Sequence, residues 1–472
     1  MKTILSVKGY KIPKKSVTDD HISLIKKDLV INPFAFNMMG NKEEDNSYNI
    51  YTESDKFYYV PRFWGIENFG PPKVNKIPEG LDIDVNFKGS MRPYQLEIVD
   101  LYMKEANSDG GSIINLATGG GKTVLALYII SLLKKKTIIL VHKSFLMDQW
   151  YLRITEFLPG TKVSKIQGTT FDTSGDIILG MIQTVINRDI PDDLTNEIGL
   201  LISDECHHLS AEKFSNSLVK LNPKYLLGLS ATVKRTDSLQ RIFQYYLGSI
   251  CFKSKVDKST DVEVRIISYN SSVISYCKDE KLWNGKTCRP RIINNIANHV
   301  PRTEEVLKIA YKCYEEGRHI LILSDRREHC IYMSQKINEH YKRDDVAGVY
   351  IGGMKINDYD KTNLCKCIVA TYSSVSEGYD NKTLDTLILS TPISNVEQTV
   401  GRILRQTNAN HPLIYDIIDE NIETIKRGSS KRMVLYKRRN YDTYYNDDTE
   451  KIDFKKSKKK DKPVYLMDEC LL

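Results

Sequence analysis

No run of apolar residues in this chain approaches the roughly 20 needed to span a bilayer as a helix, so no helical membrane segment is expected and no membrane partner is implied. The opening residues Met1-Lys2-Thr3-Ile4-Leu5 run on into lysines rather than a long apolar stretch, so no secretory leader is expected. The 9 cysteines are scattered and odd in number, with no Cys-x-x-Cys pair. A zinc site or a disulfide framework is therefore not expected, and reduced thiols in an intracellular protein are. No repeat of 20–50 residues is present, which excludes a solenoid or propeller. Charge of either sign is also scarce in net terms over most of the chain. The total is +8, but the segment from Ile425 to Leu472 carries 14 Lys/Arg against 8 Asp/Glu, leaving the rest nearly neutral. A basic tail on a neutral body fits a polyanion partner; a solvated solubility tail has the same composition.

What the 472 residues do contain is two blocks of alternating strand and helix patterns. In the first, short apolar runs at Ser112–Leu116, Thr137–Val141, Asp176–Met181, Gly199–Ser203 and Tyr225–Leu229 are separated by helical patterns such as Lys122–Lys134. In the second, the runs are His319–Leu323, Gly348–Ile351, Cys367–Ala370, Thr386–Leu389 and Pro412–Ile417. Such alternation predicts parallel sheets covered on both faces. Ahead of them, pieces such as Phe57-Tyr58-Tyr59-Val60-Pro61 predict a small domain, mostly β or mixed. The expected division is 1–87 accessory domain, 88–255 first α/β lobe, 256–299 linker or insertion, 300–425 second lobe and 426–472 basic tail.

Between a predicted strand and a predicted helix stands Ala117-Thr118-Gly119-Gly120-Gly121-Lys122-Thr123. That is the setting a phosphate-binding loop requires. Glycines let successive N–H groups turn toward phosphate oxygens, and the helix that follows aims its positive end at the same place. Lys122 is expected at the β- and γ-phosphates and the Thr123 hydroxyl at Mg²⁺. A glycine-rich turn with an exposed lysine would share this composition, so a second motif has to decide. Asp204-Glu205-Cys206-His207 follows the apolar strand Gly199–Ser203, about 80 residues after the loop. A buried parallel strand delivers its carboxyl end to the ligand crevice. There Asp204 is expected to hold the metal, Glu205 to orient and deprotonate the attacking water, and His207 to sense the γ-phosphate. His208 reads as structural.

With both motifs in place, the chain from about Arg92 to Arg405 resembles the DExH-box helicases of superfamily 2. The loop has that superfamily's shorter form, with Leu116 where the general pattern has glycine. Arg92-Pro93-Tyr94-Gln95 is similar to its adenine-recognition motif, which implies Arg92 and Gln95 at the base. Val141 to Trp150 resembles a backbone-contact motif, implying nucleic-acid contacts at His142 and Lys143; Gly168 and Gln183-Thr184 resemble the next two, implying contacts at Gly168 and Thr184. Ser230-Ala231-Thr232 resembles the motif that couples hydrolysis to lobe movement, through Ser230 and Thr232. In the second block, Ser324-Asp325-Arg326, Thr371 and Glu377-Gly378-Tyr379-Asp380 resemble further contact motifs, implying Arg326, Thr371 and Gly378. Gln398-Thr399-Val400-Gly401-Arg402-Ile403-Leu404-Arg405 resembles the arginine-finger helix, placing Gln398, Arg402 and Arg405 at the nucleotide. On a helix, Gln398, Gly401, Arg402 and Arg405 share one face.

Within the superfamily the likeness is greatest to helicases of large cytoplasmic DNA viruses, the poxvirus transcript-release type included, and to DNA translocases of the TFIIH and phage-repair type. The Arg-Glu-Asp triplet of the TFIIH-type translocases is absent. The resemblance implies two RecA-like α/β lobes, ATP and Mg²⁺ as cofactors, and nucleic acid as partner, with DNA favoured over RNA. It also implies engagement with transcription or repair machinery. The expected location is intracellular: the cytoplasm for a viral protein, with the nucleus as the alternative.

Overall fold

The computed structural model describes residues 2–31, 47–117, 119–205, 215, 218, 220–230, 240–254, 262–354, 356–376, 381, 383–394, 396, 400, 410–446, 448–452 and 454. The chain divides into two compact units, Met1–Val256 and Asp257–Leu472.

The first unit is built on an eight-stranded sheet. Its order is Thr170–Phe171, Val163–Gln167, Ile177–Met181, Thr137–Val141, Leu200–Asp204, Tyr225–Ser230, Gly111–Asn115 and Ile250–Lys253. All neighbours are parallel except the hairpin at Thr170–Phe171. The central strands are buried at every position, which is why they read as unbroken apolar runs. Alternate residues serve opposite faces. Ile113, Ile138, Leu140 and Leu201 pack into one core, and Ile114, Ile139, Val141, Leu200 and Ile202 into the other.

The N-terminal residues form a five-stranded, mainly antiparallel sheet in the order Thr52–Glu53, Phe57–Val60, Gly9–Pro13, Ile4–Ser6 and Val74–Asn75, with helices at Asp19–Leu29 and Arg62–Phe69. Among the described residues this sheet has no separate core. Leu5, Tyr10, Ile12 and Trp64 belong to the same cluster as Leu201 and Leu226 of the large sheet. Arg62 locks the junction. Its guanidinium is buried and donates to the carbonyls of Pro223 and Lys224, both at 3.1 Å, and of Asp109 at 2.6 Å. Burial pulls its pKa down to about 10, a loss that the nearby Asp109 charge offsets only in part. Asn222 Nδ2 donates to the Ser6 carbonyl and Tyr246 Oη to that of Ile50, both at 2.9 Å.

The second unit carries a seven-stranded, all-parallel sheet ordered Ala347–Tyr350, Cys367–Thr371, Ile320–Ser324, Thr386–Leu389, Leu413–Asp419, Glu263–Tyr269 and Asp442–Tyr445. Two of these strands lie outside the segment 300–425 expected to form the lobe. Residues 256–299 supply Glu263–Tyr269, and the helix Glu423–Arg439 and strand Asp442–Tyr445 occupy the start of the expected tail. Lys455–Lys462, the run of lysines in that tail, falls outside the described residues. The 7 described cysteines carry free thiols.

Two buried ion pairs fix the second sheet. Arg302 and Asp419, both fully buried, meet at 2.5 and 3.0 Å, and Tyr276 Oη donates to the same carboxylate at 2.5 Å. Arg432 grips Asp416 with two bonds of 2.8 Å, joined by Tyr436 Oη at 2.9 Å. Removing one partner leaves an uncompensated buried charge, at a cost of about 3–5 kcal/mol. Arg302→Met is therefore expected to lower the urea midpoint of the full chain substantially by far-UV circular dichroism. The exposed Arg343→Met, whose partner Asp345 lies on the surface, should leave it nearly unchanged. Equal shifts in the two variants would contradict this account.

Candidate nucleotide site and nucleic-acid contacts

The strand Gly111–Asn115 ends in a loop that leads into the helix Lys122–Leu133. Gly119 and Gly121 adopt φ of +84° and +81°, a left-handed backbone that glycine enters without strain. A Cβ on Gly121 would lie 2.4 Å from Gln95 Nε2, so a larger residue there would push that amide aside as well as strain the backbone. Neighbouring strands hold the loop from below. The Leu116 N–H donates to the Ser230 carbonyl at 3.0 Å, and the Ala117 N–H to Ser254 Oγ at 3.1 Å.

Gln95 and Tyr94 brace the loop from the side. Gln95 Nε2 and Tyr94 Oη donate to the Gly120 carbonyl at 3.2 and 3.1 Å. Gln95 Oε1 accepts from the Arg92 N–H at 3.0 Å, capping the helix Pro93–Ser108. Gln95, expected at the adenine, is thus bonded at both ends of its amide to the protein, with one hydrogen and one lone pair of that amide still to place. Arg92 Nη1 reaches Tyr94 Oη at 3.3 Å.

The parallel strands Leu200–Asp204 and Gly111–Asn115 flank Tyr225–Ser230, so their carboxyl ends lie at the same edge of the sheet. This brings Lys122 and Glu205, 83 positions apart, into an ion pair of 2.7 Å that is largely shielded from solvent. Glu205 sits at φ +46°, a conformation that costs a non-glycine residue free energy and that clusters at functional sites. Asp204 is buried one residue earlier, and Trp150 Nε1 donates to its Oδ2 at 2.9 Å. Burial, then the nearby Glu205 charge, pushes the Asp204 carboxyl up to about 6, with Lys122 and the indole pulling the other way. The Trp150 contact was not predicted. Its one sequence signal is a large aromatic with a single donor on the core face of a helix, where a buried N–H needs an acceptor.

The contact motifs of the first unit also converge. The Gly168 N–H donates to Thr184 Oγ1 at 3.0 Å, and Gln183 Nε2 to the His142 carbonyl at 3.2 Å. Three expected contact segments are therefore tied together. Lys143 follows His142 at the start of the helix Ser144–Phe157, its ammonium 5.9 Å from the Phe145 ring centre. In the second unit Ser324 and Thr371 pair in register at the carboxyl ends of adjacent strands, and Thr371 Oγ1 lies 2.7 Å from Ser374 Oγ. Arg326 is held by the Pro290 carbonyl at 2.8 Å, by the Asn294 side-chain oxygen and by Asp325. His329 is a structural bridge between Thr303 Oγ1 and Ser324 Oγ, both at 3.0 Å. Burial, aided by Arg302, lowers its pKa to about 4 and keeps it neutral. Thr118, His207, Thr232, Gly378, Gln398, Arg402 and Arg405 lie outside the described residues.

The model of the family described as "Type III restriction enzyme, res subunit" matches residues 88–235, the stretch that contains the loop, the acidic box and the first contact motifs. Over 448 residues the chain is 31% identical to the "Putative ATP-dependent RNA helicase L396" of Acanthamoeba polyphaga mimivirus, covering 93% of this chain and 86% of that protein. The chain is a superfamily 2 helicase. It is also 28% identical to the "Putative helicase 161L" of Invertebrate iridescent virus 6, over 79% of this chain and 85% of that one. A shorter match, 32% identity over 41% of this chain and 42% of the relative, joins it to the "DNA 3'-5' translocase XPB2" of Sulfurisphaera tokodaii. As a superfamily 2 helicase, this protein is an ATP-dependent motor acting on nucleic acid, and its sheets are those of RecA-like lobes. Among the described residues no helix is long and apolar enough to cross a membrane.

Proposed function

We propose that the chain is a DNA-directed translocase or helicase whose ATP is hydrolysed at Lys122, Asp204 and Glu205. The Lys122–Glu205 pair beside the buried Asp204 carries this reading. Before nucleotide arrives, the lysine neutralises the base. When the phosphates draw Lys122 away, Glu205 loses that counter-charge and is able to orient water and take its proton. Binding thereby switches on the group that hydrolysis needs.

Asp204 and the Thr123 hydroxyl offer oxygen donors of the kind Mg²⁺ takes, and Mg²⁺ completes its shell with phosphate oxygens and water rather than a protein cage. The ion would neutralise charge on the β- and γ-phosphates. Arg405, with Gln398 and Arg402 of the same motif, is assigned to the charge that develops on the γ-phosphoryl. His142, Lys143, Gly168, Thr184, Arg326, Thr371 and Gly378 are assigned to the nucleic-acid backbone, a largely sequence-independent track.

The similarity to a DNA translocase favours DNA; the name of the mimivirus relative is the reason to test RNA beside it. ATPase rate measured in parallel with single-stranded DNA, duplex DNA and RNA decides the matter. DNA is expected to stimulate most, and equal or greater stimulation by RNA would reject the DNA assignment. On this proposal the protein works in the cytoplasm of an infected cell with a transcription or repair complex as its partner, a reading that the kinship with viral helicases supports.

A further inference from the structure

Of the chain's 3 tryptophans, Trp64 and Trp150 are 1% and 2% exposed, whereas Trp283 is 98% exposed. It stands at the tip of a short hairpin closed by the Lys281–Thr287 bridge, the Leu282 N–H to Lys286 carbonyl bond of 2.7 Å and the Cys288 N–H to Glu280 carbonyl bond of 2.7 Å. Gly285, at φ +76°, makes the turn, and Asn284 Oδ1 accepts from the Lys286 N–H at 3.1 Å. The tip is therefore a shaped element that costs little further ordering when it binds. Its base is anchored by Tyr276, buried against Asp419, and by the helix Arg289–Asn298. That same helix supplies Pro290 and Asn294, which hold Arg326, one of the residues assigned to the nucleic-acid backbone.

Charge around the tip has one sign to offer. Between Lys278 and Arg291 there are Lys278, Lys281, Lys286, Arg289 and Arg291 against Asp279 and Glu280. The two acids are engaged within the protein: Glu280 pairs with Lys278 at 3.0 Å, and Thr424 Oγ1 donates to Asp279 at 2.8 Å. Lys281 and Lys286 flank Trp283 in the open. A large aromatic face between two ammonium groups matches an unpaired base on its phosphate backbone: the ring takes the base face and the lysines the charge.

We propose that the Lys281–Thr287 hairpin is a base-stacking site for single-stranded nucleic acid, with Trp283 as the platform. It rests on the helicase reading, since it needs a strand delivered to the Arg326 side of this unit. Because the other two indoles are buried, the intrinsic emission that solvent or a ligand can quench comes from Trp283. The full chain, without nucleotide, is titrated with fluorescein-labelled dT20, following anisotropy, and with unlabelled dT20, following tryptophan emission. Saturable quenching with the same midpoint as the anisotropy rise is expected. Trp283→Ala should weaken dT20 binding by roughly 5- to 150-fold, with little change for a blunt duplex whose bases are already stacked, and Trp283→Phe should keep most of the affinity. Normal anisotropy with flat emission and an unaltered Trp283→Ala affinity would overturn the proposal and assign the tip to a protein partner, leaving the helicase reading intact. No anisotropy change with any nucleic acid would instead sink both.

Discussion

Replacement of Glu205 by glutamine is expected to lower ATP turnover by roughly 10²- to 10⁴-fold, the range for removing a positioned general base. Affinity for ATP should stay within a few-fold. The two parts of that expectation have separate causes. Glutamine keeps the length of the side chain and an oxygen that can still accept from Lys122, so the 2.7 Å contact and the local packing have a near-isosteric substitute. What it lacks is a lone pair basic enough to take a proton from water. The resting ion pair also weakens, which frees Lys122 for phosphate and opposes any loss of affinity. Lys122→Ala is the contrasting variant, because it removes a phosphate ligand and should weaken nucleotide binding as well as turnover. Single-turnover hydrolysis and fluorescent-nucleotide binding measured on the same preparations separate the cases. Near-normal turnover in Glu205→Gln would falsify the role assigned to this carboxylate.

Arg405→Ala should cost roughly 10³-fold or more in turnover, the low end for arginines that meet the charge developing on a transferred phosphoryl group. Nucleotide affinity should fall far less, because that charge is greater in the transition state than in bound ATP. Arg405→Lys should not restore the rate. An ammonium is a point donor on a flexible stem and cannot present the planar fork that a phosphoryl group takes. If affinity and turnover fell together by the same factor, Arg405 would be an ordinary binding residue, and the motif it shares with Gln398 and Arg402 would need another explanation.

Central strands were legible because they are buried on both faces. Thr137–Val141 has the same bounds in sequence and structure, every residue in it being apolar or small and every one buried. Glu263–Tyr269 was not legible as a strand of the second lobe. Its sequence alternates Glu263 and Arg265 with Val264 and Ile266. The charged pair is stable on the sheet because Arg265 Nε meets Glu263 at 2.5 Å and the guanidinium lies 4.6 Å from the Tyr444 ring centre, a neighbour more than 170 positions away. Local pattern carries no sign of such a partner. The same limit applied at the site. The order and spacing of the loop and the acidic box pointed to Lys122 and Glu205. Trp150 reaches Asp204 across 54 positions, and Gln95 reaches Gly120 across 25, through contacts that only the folded sheet creates.

The burial of Arg62 under three backbone carbonyls has a mechanical meaning. A domain joined by a linker can swing while a motor steps, and its view of the track then changes with every cycle. The N-terminal sheet is instead welded to the lobe that carries the phosphate-binding loop, through a shared apolar core and a buried guanidinium. Anything that sheet touches is therefore read in the reference frame of the ATPase itself. A roadblock or partner pressing on it pushes directly on the element that binds nucleotide, so load and fuel are felt by one solid body.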